Sequence, residues 1–203
     1  MAKKSSTKGP AQTPKKGKAP KDDPKKKKIN WLKFIALSLA AMGFLMAFVF
    51  VRGNMFDEEH RVQVRVRFVR PLNEVWKTLS DIKAQTDWNK SLDSVTLESE
   101  NPEIWAENYS GRVLRMETVE RVENQRLVRR LVGDDLPFGG TWTYELKNLG
   151  GETLLTLTEE GHIKNPMFRF MAHSVFGLNS SLKAAVEALE TRLGKAAEES
   201  ALP

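Results

Sequence analysis

Alternation of apolar and polar residues predicts that the folded part of the chain begins with a strand. Over residues 61–69, apolar side chains occupy every second position and polar or charged ones the positions between. A period of two is typical of a strand with one buried face. Pro71 then predicts a helix start, since proline is favoured in the first turn of a helix. The apolar positions of this strand and helix are Val62, Val64, Val66, Phe68, Leu72, Val75, Trp76 and Leu79.

Six more strands are predicted between residues 93 and 162, after a short, irregular second helix around Trp88. Glycine, asparagine and proline separate short runs of apolar and β-branched residues, which is typical of strands joined by tight turns. Because the connections are short, neighbouring strands are expected to run antiparallel. The strands are predicted at about 93–99, 104–110, 112–122, 126–133, 140–148 and 153–162.

The last part of the chain is predicted to be an amphipathic helix of nearly thirty residues that begins at Asn165-Pro166. Its apolar residues recur at steps of three or four, the period of one helix face. Gly177 interrupts the pattern, so the sequence leaves open whether this is one helix or two. The apolar positions are Phe168, Met171, Val175, Leu178, Leu182, Val186, Leu189 and Leu193.

A second apolar feature lies nearer the N-terminus, where residues 34–51 contain no charged side chain. As a helix this stretch is about 27 Å long, close to the roughly 30 Å hydrocarbon core of a bilayer. A buried core helix or a cleaved signal peptide are the alternatives. Core helices are rarely apolar on every face, and the small-residue cleavage patterns fall inside the apolar run. We therefore predict an uncleaved signal-anchor, a single transmembrane helix over 31–52.

Charge is distributed unevenly around this helix. Residues 1–33 contain twelve lysines and two acidic residues, whereas the rest of the chain has 20 basic and 24 acidic residues. The positive-inside rule then predicts a cytoplasmic N-terminus and an exoplasmic C-terminal domain in the cell (inner) membrane, periplasmic if the source is bacterial. The Lys-rich tail 1–30 is predicted to be disordered. Anionic membrane lipids are its expected partner; nucleic acid is not expected, because the tail lacks stacking aromatics and the body is acidic.

The remaining boundaries follow from these elements. We predict a juxtamembrane linker at 53–60, a folded domain at 61–195 and a disordered C-terminus at 196–203. His60 falls in the linker and is expected to be solvated. Ten residues separate Val51 from Arg61 and span at most about 36 Å, so the domain is expected to lie at the bilayer surface.

The predicted order is strand, two helices, six antiparallel strands and C-terminal helix. Five stretches stand out within it: VRPLNEVWKTLSDI at 69–82, Asp87-Trp88-Asn89, GGTWTYEL at 139–146, LTLTEEG at 155–161 and NPMFRF at 165–170. This order and these stretches resemble the START-like or SRPBCC superfamily, and its polyketide cyclase/dehydrase and lipid-transport branch is the most similar. The resemblance implies an α+β, helix-grip (START-like) fold: a curved antiparallel sheet of about seven strands around a long C-terminal helix, here preceded by one transmembrane helix.

Such a fold implies an apolar cavity between the sheet and the helix, and bulky side chains are the candidates to line it. The alternative for each residue is that it fills the core. Phe138 lies at the tip of the loop 133–140, which is either a gate over the cavity or a turn tucked under the sheet edge. The candidate ligand-binding residues are Trp105, Tyr109, Met116, Phe138, Trp142, Tyr144, Phe168, Met171 and Val175.

Catalytic chemistry is less well supported than binding. The chain has no cysteine and three dispersed histidines, so no metal or other cofactor is expected. Glu159 and His162 are the candidate residues for acid–base catalysis in the cavity, but the sequence shows no fixed partner for either. The sequence thus favours a membrane-anchored binding domain for a lipid, quinone or other hydrophobic small molecule. A cyclase/dehydratase-type enzyme and a scaffold or interaction protein without ligand are the alternatives; protein partners and oligomeric state stay open.

Overall fold

A computed structural model describes residues 31–133 and 136–198, together with Gly9 and Gly17. The predicted tail 1–30, apart from those two glycines, therefore lies outside the described residues, as do residues 199–203 and positions 134–135 of the loop 133–140. The chain divides into two compact units, Met1–Ala40 and Ala41–Pro203. Their boundary falls within the first helix.

That helix, α1, covers Trp31–Asn54 and is two residues longer at its C-terminal end than the predicted span. Its charged residues, Lys33 and Arg52, lie near its two ends, and the most apolar window between the ends has a mean hydropathy of 2.5. At 1.5 Å per residue it is about 36 Å long. Among the described residues it is the helix that is long and apolar enough to cross a membrane.

The second unit is built on an antiparallel sheet that confirms the predicted fold. Its strands are β1 (Glu59–Phe68), β2 (Ser94–Glu100), β3 (Glu103–Tyr109), β4 (Arg112–Val122), β5 (Arg126–Val132), β6 (Phe138–Asn148), β7 (Thr153–Ile163) and the two-residue β8 (Ala197–Glu198). They are arranged in the order β2-β3-β4-β5-β6-β7-β1-β8, with every pair antiparallel. Strand β1 therefore closes the long meander by pairing with β7.

Strand β1 begins earlier than the sequence indicates. It starts at Glu59, so four residues, 55–58, connect it to α1. His60 is consequently part of the sheet, opposite Gly161 of β7, and its side chain is only 9% exposed. The expectation of a solvated His60 was wrong. The strand begins two residues before the predicted start at residue 61, and because Glu59 and His60 are both polar, the apolar alternation did not indicate that they belong to it.

Four helical elements accompany the sheet, and three of them, α2, α3 and α5, supply buried apolar side chains to the core. They are α2 (Leu72–Ser80), α3 (Gln85–Trp88), α4 (Pro166–Met171), which continues into a π-helical turn (Ala172–Phe176), and α5 (Ser180–Leu193). Leu182, Val186, Leu189 and Leu193 of α5 are buried in one cluster with Phe68 of β1 and other apolar residues. Helix α5 is thus the cover that the apolar face of the sheet requires.

The C-terminal segment is two helices rather than one. Gly177 has φ of +82°, a left-handed conformation that suits glycine and ends the helical path there. The five residues before it form the π-helical turn, a feature typical of an interrupted helix. The question left open by the sequence is therefore resolved, and the residues before Gly177 take a course separate from α5.

Candidate functional site

A cavity of about 430 Å³ lies between the sheet, α3 and α5. Aromatic and aliphatic side chains form much of its wall, and a few polar groups project into it. Its principal lining residues are His60, Leu79, Gln85, Trp88, Glu107, Tyr109, Leu114, Met116, Arg129, Leu131, Phe138, Trp142, Tyr144, Glu159, His162, Ala172, Gly177, Leu178, Ser181, Ala184, Ala185 and Leu189.

Five of the nine predicted binding residues line this cavity, all of them on the sheet. They are Tyr109, Met116, Phe138, Trp142 and Tyr144. Phe138 is the first residue of β6 and packs, with Leu136, against the cluster around Trp105. The described part of the loop 133–140 thus contributes to the wall of the cavity.

The other four predicted residues do not line the cavity. Trp105 is fully buried in the core. Phe168, Met171 and Val175 lie on α4 and the π-helical turn, before the break at Gly177, and Phe168 and Val175 are about half exposed. Because the segment turns at Gly177, the helix that faces the cavity is α5, whose lining residues are Ser180, Ser181, Ala184, Ala185 and Leu189.

A buried carboxylate, Glu107, forms one polar centre of the cavity. Its Oε1 accepts a hydrogen bond from the indole N–H of Trp105 at 2.8 Å, and its Oε2 accepts one from the Tyr109 hydroxyl at 2.7 Å. Burial raises the pKa of Tyr109, and the adjacent Glu107 carboxylate raises it further. The phenol is therefore held protonated as a donor to the carboxylate.

Arg129 lies in the same centre and is itself buried, with 5% of its surface exposed. Its Nη2 donates to the carbonyl oxygen of Leu79 at 2.6 Å, and its guanidinium lies 5.0 Å from the ring centroid of Trp105. The side-chain amide of Gln85 is oriented so that both its nitrogen and its oxygen are hydrogen-bonded. The nitrogen donates to Glu107 at 3.0 Å, and the oxygen accepts from Arg129 at 3.1 Å. One neutral amide thus links two opposite charges.

A second polar centre is formed by Glu159, on the other side of Trp142. Trp142 of β6 is paired with Arg129 on one side and with Glu159 on the other. Glu159 is 8% exposed; its Oε2 accepts a hydrogen bond from the Ser181 hydroxyl, and its Oε1 lies 3.4 Å from Nε2 of His60. Its neighbour Glu160 points to the other face of the sheet and pairs with Arg61 at 3.3 Å.

His162, the other candidate acid–base group, also lines the cavity. It faces Gly139 across the β6–β7 pair, and a Cβ on Gly139 would lie 2.7 Å from Cε1 of the imidazole. Because Gly139 has no side chain, the imidazole ring of His162 has room at this position. Within residues 31–133 and 136–198, no group of three or more histidine or acidic side chains is arranged to hold a metal ion.

The sequence-based set missed the polar residues that, with Tyr109 and Glu159, form the two polar centres of the cavity: Gln85, Glu107, Arg129, His60 and Ser181. A signal existed for two of them. Glu107 has the same strand parity as buried Trp105, and Arg129 has the same parity as buried Leu127 and Leu131. A charged residue at an inward position of a strand indicates a buried polar centre, because unpaired charge is costly in an apolar interior.

The curved sheet, the covering helix and the cavity between them define a START-like protein. The chain matches the model of the family described as polyketide cyclase / dehydrase and lipid transport over residues 59–194. It belongs to this family, and the predicted superfamily is confirmed.

Solved structures show the same fold at low sequence identity. A START superfamily protein from Mycobacterium smegmatis superposes with a TM-score of 0.54 at 20% identity, covering 66% of this chain and 97% of that one. The aromatase/cyclase Zhui from a Streptomyces species gives 0.51 at 15% identity, over 66% and 93%. Norcoclaurine synthase from Thalictrum flavum gives 0.53 at 10% identity, over 64% and 91%. No curated protein shows a significant match to the sequence.

Proposed function

We propose that this protein is a membrane-anchored binding domain that holds a hydrophobic small molecule, such as a lipid or a quinone, between its sheet and α5. The observation that carries the proposal is the cavity of about 430 Å³. This volume lies within the range of roughly 300–1,000 Å³ typical of small-molecule sites, whereas a scaffold without ligand would favour a filled interior. The Glu107 and Glu159 centres would orient a polar group of the guest.

The family and the first helix support the two parts of this proposal. Lipid transport is one of the activities in the family description. Helix α1 has the length and apolarity of a membrane span, and the lysines that precede it favour a cytoplasmic N-terminus with the cavity on the exoplasmic side. An anchored binding domain would meet apolar molecules in the adjacent leaflet.

The proposal can be tested in membranes with a diazirine-bearing fatty alcohol and the full chain. After irradiation, peptides from β4–β7 and α5 should carry the probe, while labelling of α1 reports contact with bulk lipid. Leu114 lines the cavity, and its neighbour Val113 is 53% exposed. Leu114→Trp should reduce labelling of the cavity peptides about tenfold, and Val113→Trp should leave it unchanged. Labelling confined to α1, or equal in the two variants, would refute binding in the cavity.

A cyclase/dehydratase-type enzyme is the second candidate, favoured by the Glu159 centre. A buried carboxylate held by Ser181 and beside His60 has the fixed surroundings that a general base requires. If Glu159 catalyses a dehydration, the molecule extracted from a Glu159→Gln variant should be heavier by one water than that from the wild type. Glu160→Gln is the matched control on the outer face of the sheet. Identical extracted masses would leave binding as the function.

A further inference from the structure

The C-terminal end of α1 packs against the segment formed by α4 and the π-helical turn. A Cβ on Gly53 would lie 1.9 Å from the carbonyl oxygen of Pro166, so the two backbones meet at a distance that only glycine permits. Both residues belong to the unit Ala41–Pro203. Gly53 is also the buried residue of α1, whereas its neighbours along the helix are exposed.

Arg169 strengthens this contact as a buried cation at the end of α1. Its side chain is 5% exposed; Nε donates to the carbonyl oxygen of Gly53 at 3.1 Å, and Nη2 lies 3.4 Å from Oδ1 of Asn54. A further ion pair joins Nη1 to Glu58 at 2.6 Å. The last carbonyls of a helix lack intrahelical partners and carry partial negative charge, so a guanidinium there stabilises the helix end.

Two aromatic contacts show at which turns of α1 this segment lies. The rings of Phe48 and Phe170 meet edge to face with centroids 6.3 Å apart, and Phe56 stacks on His173 at 4.2 Å. Phe48 lies six residues before Asn54, about 9 Å from the end of the helix. It also lies three residues inside the uncharged stretch 34–51. Phe170 is therefore level with the apolar part of α1 rather than with its polar end.

The same segment exposes large apolar side chains. Phe168, Val175 and Phe176 have 49%, 57% and 64% of their surface exposed. Along the adjoining turns of α1, Phe44, Leu45, Met46 and Phe48 are also exposed. Exposed apolar surface of this kind marks an interaction site, and here the segment that carries it contacts, through Phe170 and Phe48, a helix suited to a lipid environment.

We propose that α4 and the π-helical turn form a membrane-docking face that lies in the bilayer interface beside the C-terminal end of α1. Its occupant is the boundary of acyl chains and headgroups of the bilayer that α1 crosses. Apolar side chains on short interfacial helices immerse in this boundary in a similar way. The inference rests on the proposed function, since it takes α1 as the anchor.

The docking face also deepens the proposed function, because its segment forms part of the cavity wall. Ala172 of the π-helical turn and Gly177 and Leu178 directly after it line the cavity. One side of this wall would then contact lipid, and the other side would contact the molecule bound in the cavity. The ligand class that fits is a membrane amphiphile that enters from the leaflet, rather than an apolar solute delivered through water.

Site-directed spin labelling of the full chain in phosphatidylcholine–phosphatidylglycerol vesicles tests the docking face. The natural chain has no cysteine, so each introduced cysteine carries the only label. Val175→Cys tests the face, and Val113→Cys is the matched control on β4, a valine that is 53% exposed. The Val175 nitroxide should collide preferentially with oxygen, as in lipid, and the Val113 nitroxide with a water-soluble nickel complex. Equal, water-like accessibility at both positions would overturn the proposal.

A third label separates this inference from the proposed anchoring. Met42→Cys lies within α1, where the side chain is 61% exposed. A lipid-exposed Met42 label with a water-exposed Val175 label would refute the docking face alone. A water-exposed Met42 label would refute the anchor and the docking face together. Spin–spin broadening at Val175 that disappears on dilution with unlabelled protein would show that a second copy covers the face, and would also overturn the proposal.

Discussion

The imidazole of His60 occupies the space that a side chain at Gly161 would need. These residues face each other in the β1–β7 register, and a Cβ on Gly161 would lie 2.7 Å from Cε1 and 2.8 Å from Nε2 of the ring. The glycine thereby allows His60 to lie beside Glu159 in the cavity wall. A histidine and a glycine on different strands thus form one structural unit of the candidate site.

Replacing Gly161 with alanine should therefore destabilise the protein through His60. We expect Gly161→Ala to lower the free energy of unfolding by about 1–3 kcal/mol, the usual cost of overpacking. In a His60→Ala background the same substitution should cost at least about 1 kcal/mol less, since contacting residues are energetically coupled. Denaturant unfolding of the full chain in detergent, followed by tryptophan fluorescence, measures both values. Additive effects would contradict the steric origin.

The buried Arg129 should contribute far more to stability than its neighbour Arg130. Arg129→Met removes the guanidinium that Gln85 links to Glu107 and leaves the carboxylate buried without a counter-charge. Removing one partner of a buried charged pair costs about 3–5 kcal/mol. Arg130 pairs with Glu117 at 2.6 Å, but its side chain is 54% exposed, so Arg130→Met should cost about 1 kcal/mol or less. Similar losses for the two variants, measured by denaturant unfolding, would refute the internal charge network.

The two tyrosines of the chain should resist ionisation as long as the protein is folded. Burial raises the pKa of both Tyr109 and Tyr144 above the usual value of about 10, and Glu107 adds to the effect at Tyr109. The folded chain then holds protons that the unfolded chain loses. The resulting stability is fully present below pH 10 and declines above it, by at most about 1.4 kcal/mol per pH unit for each proton.

An alkaline titration checks this prediction directly. Absorbance near 295 nm reports tyrosinate, and circular dichroism of the same samples reports unfolding. We expect no tyrosinate signal near pH 10, where an exposed tyrosine is about half ionised, while the protein is folded, and a single rise that coincides with unfolding. Tyrosinate that appears near pH 10 in folded protein would contradict the buried, hydrogen-bonded position of Tyr109.

Local patterns predicted the strands well because each strand carries its own alternation. Residues such as Trp142 and Tyr144 revealed their inward direction within a few positions of sequence. The polar centres lacked such a local signature, since Glu107, Arg129 and Gln85 come from β3, β5 and α3 and meet only in the folded sheet. The helical spacing also continued across Gly177, and apolar periodicity alone does not reveal a change of chain direction.

Identification of a molecule in the cavity tests the central claim most directly. The full chain is purified in mild detergent, and native mass spectrometry is followed by extraction of any bound compound. The wild type and Val113→Trp should each carry one apolar small molecule per chain, and Leu114→Trp should have lost it. A wild-type protein that appears only at its bare chain mass under conditions that preserve weak complexes would contradict the claim.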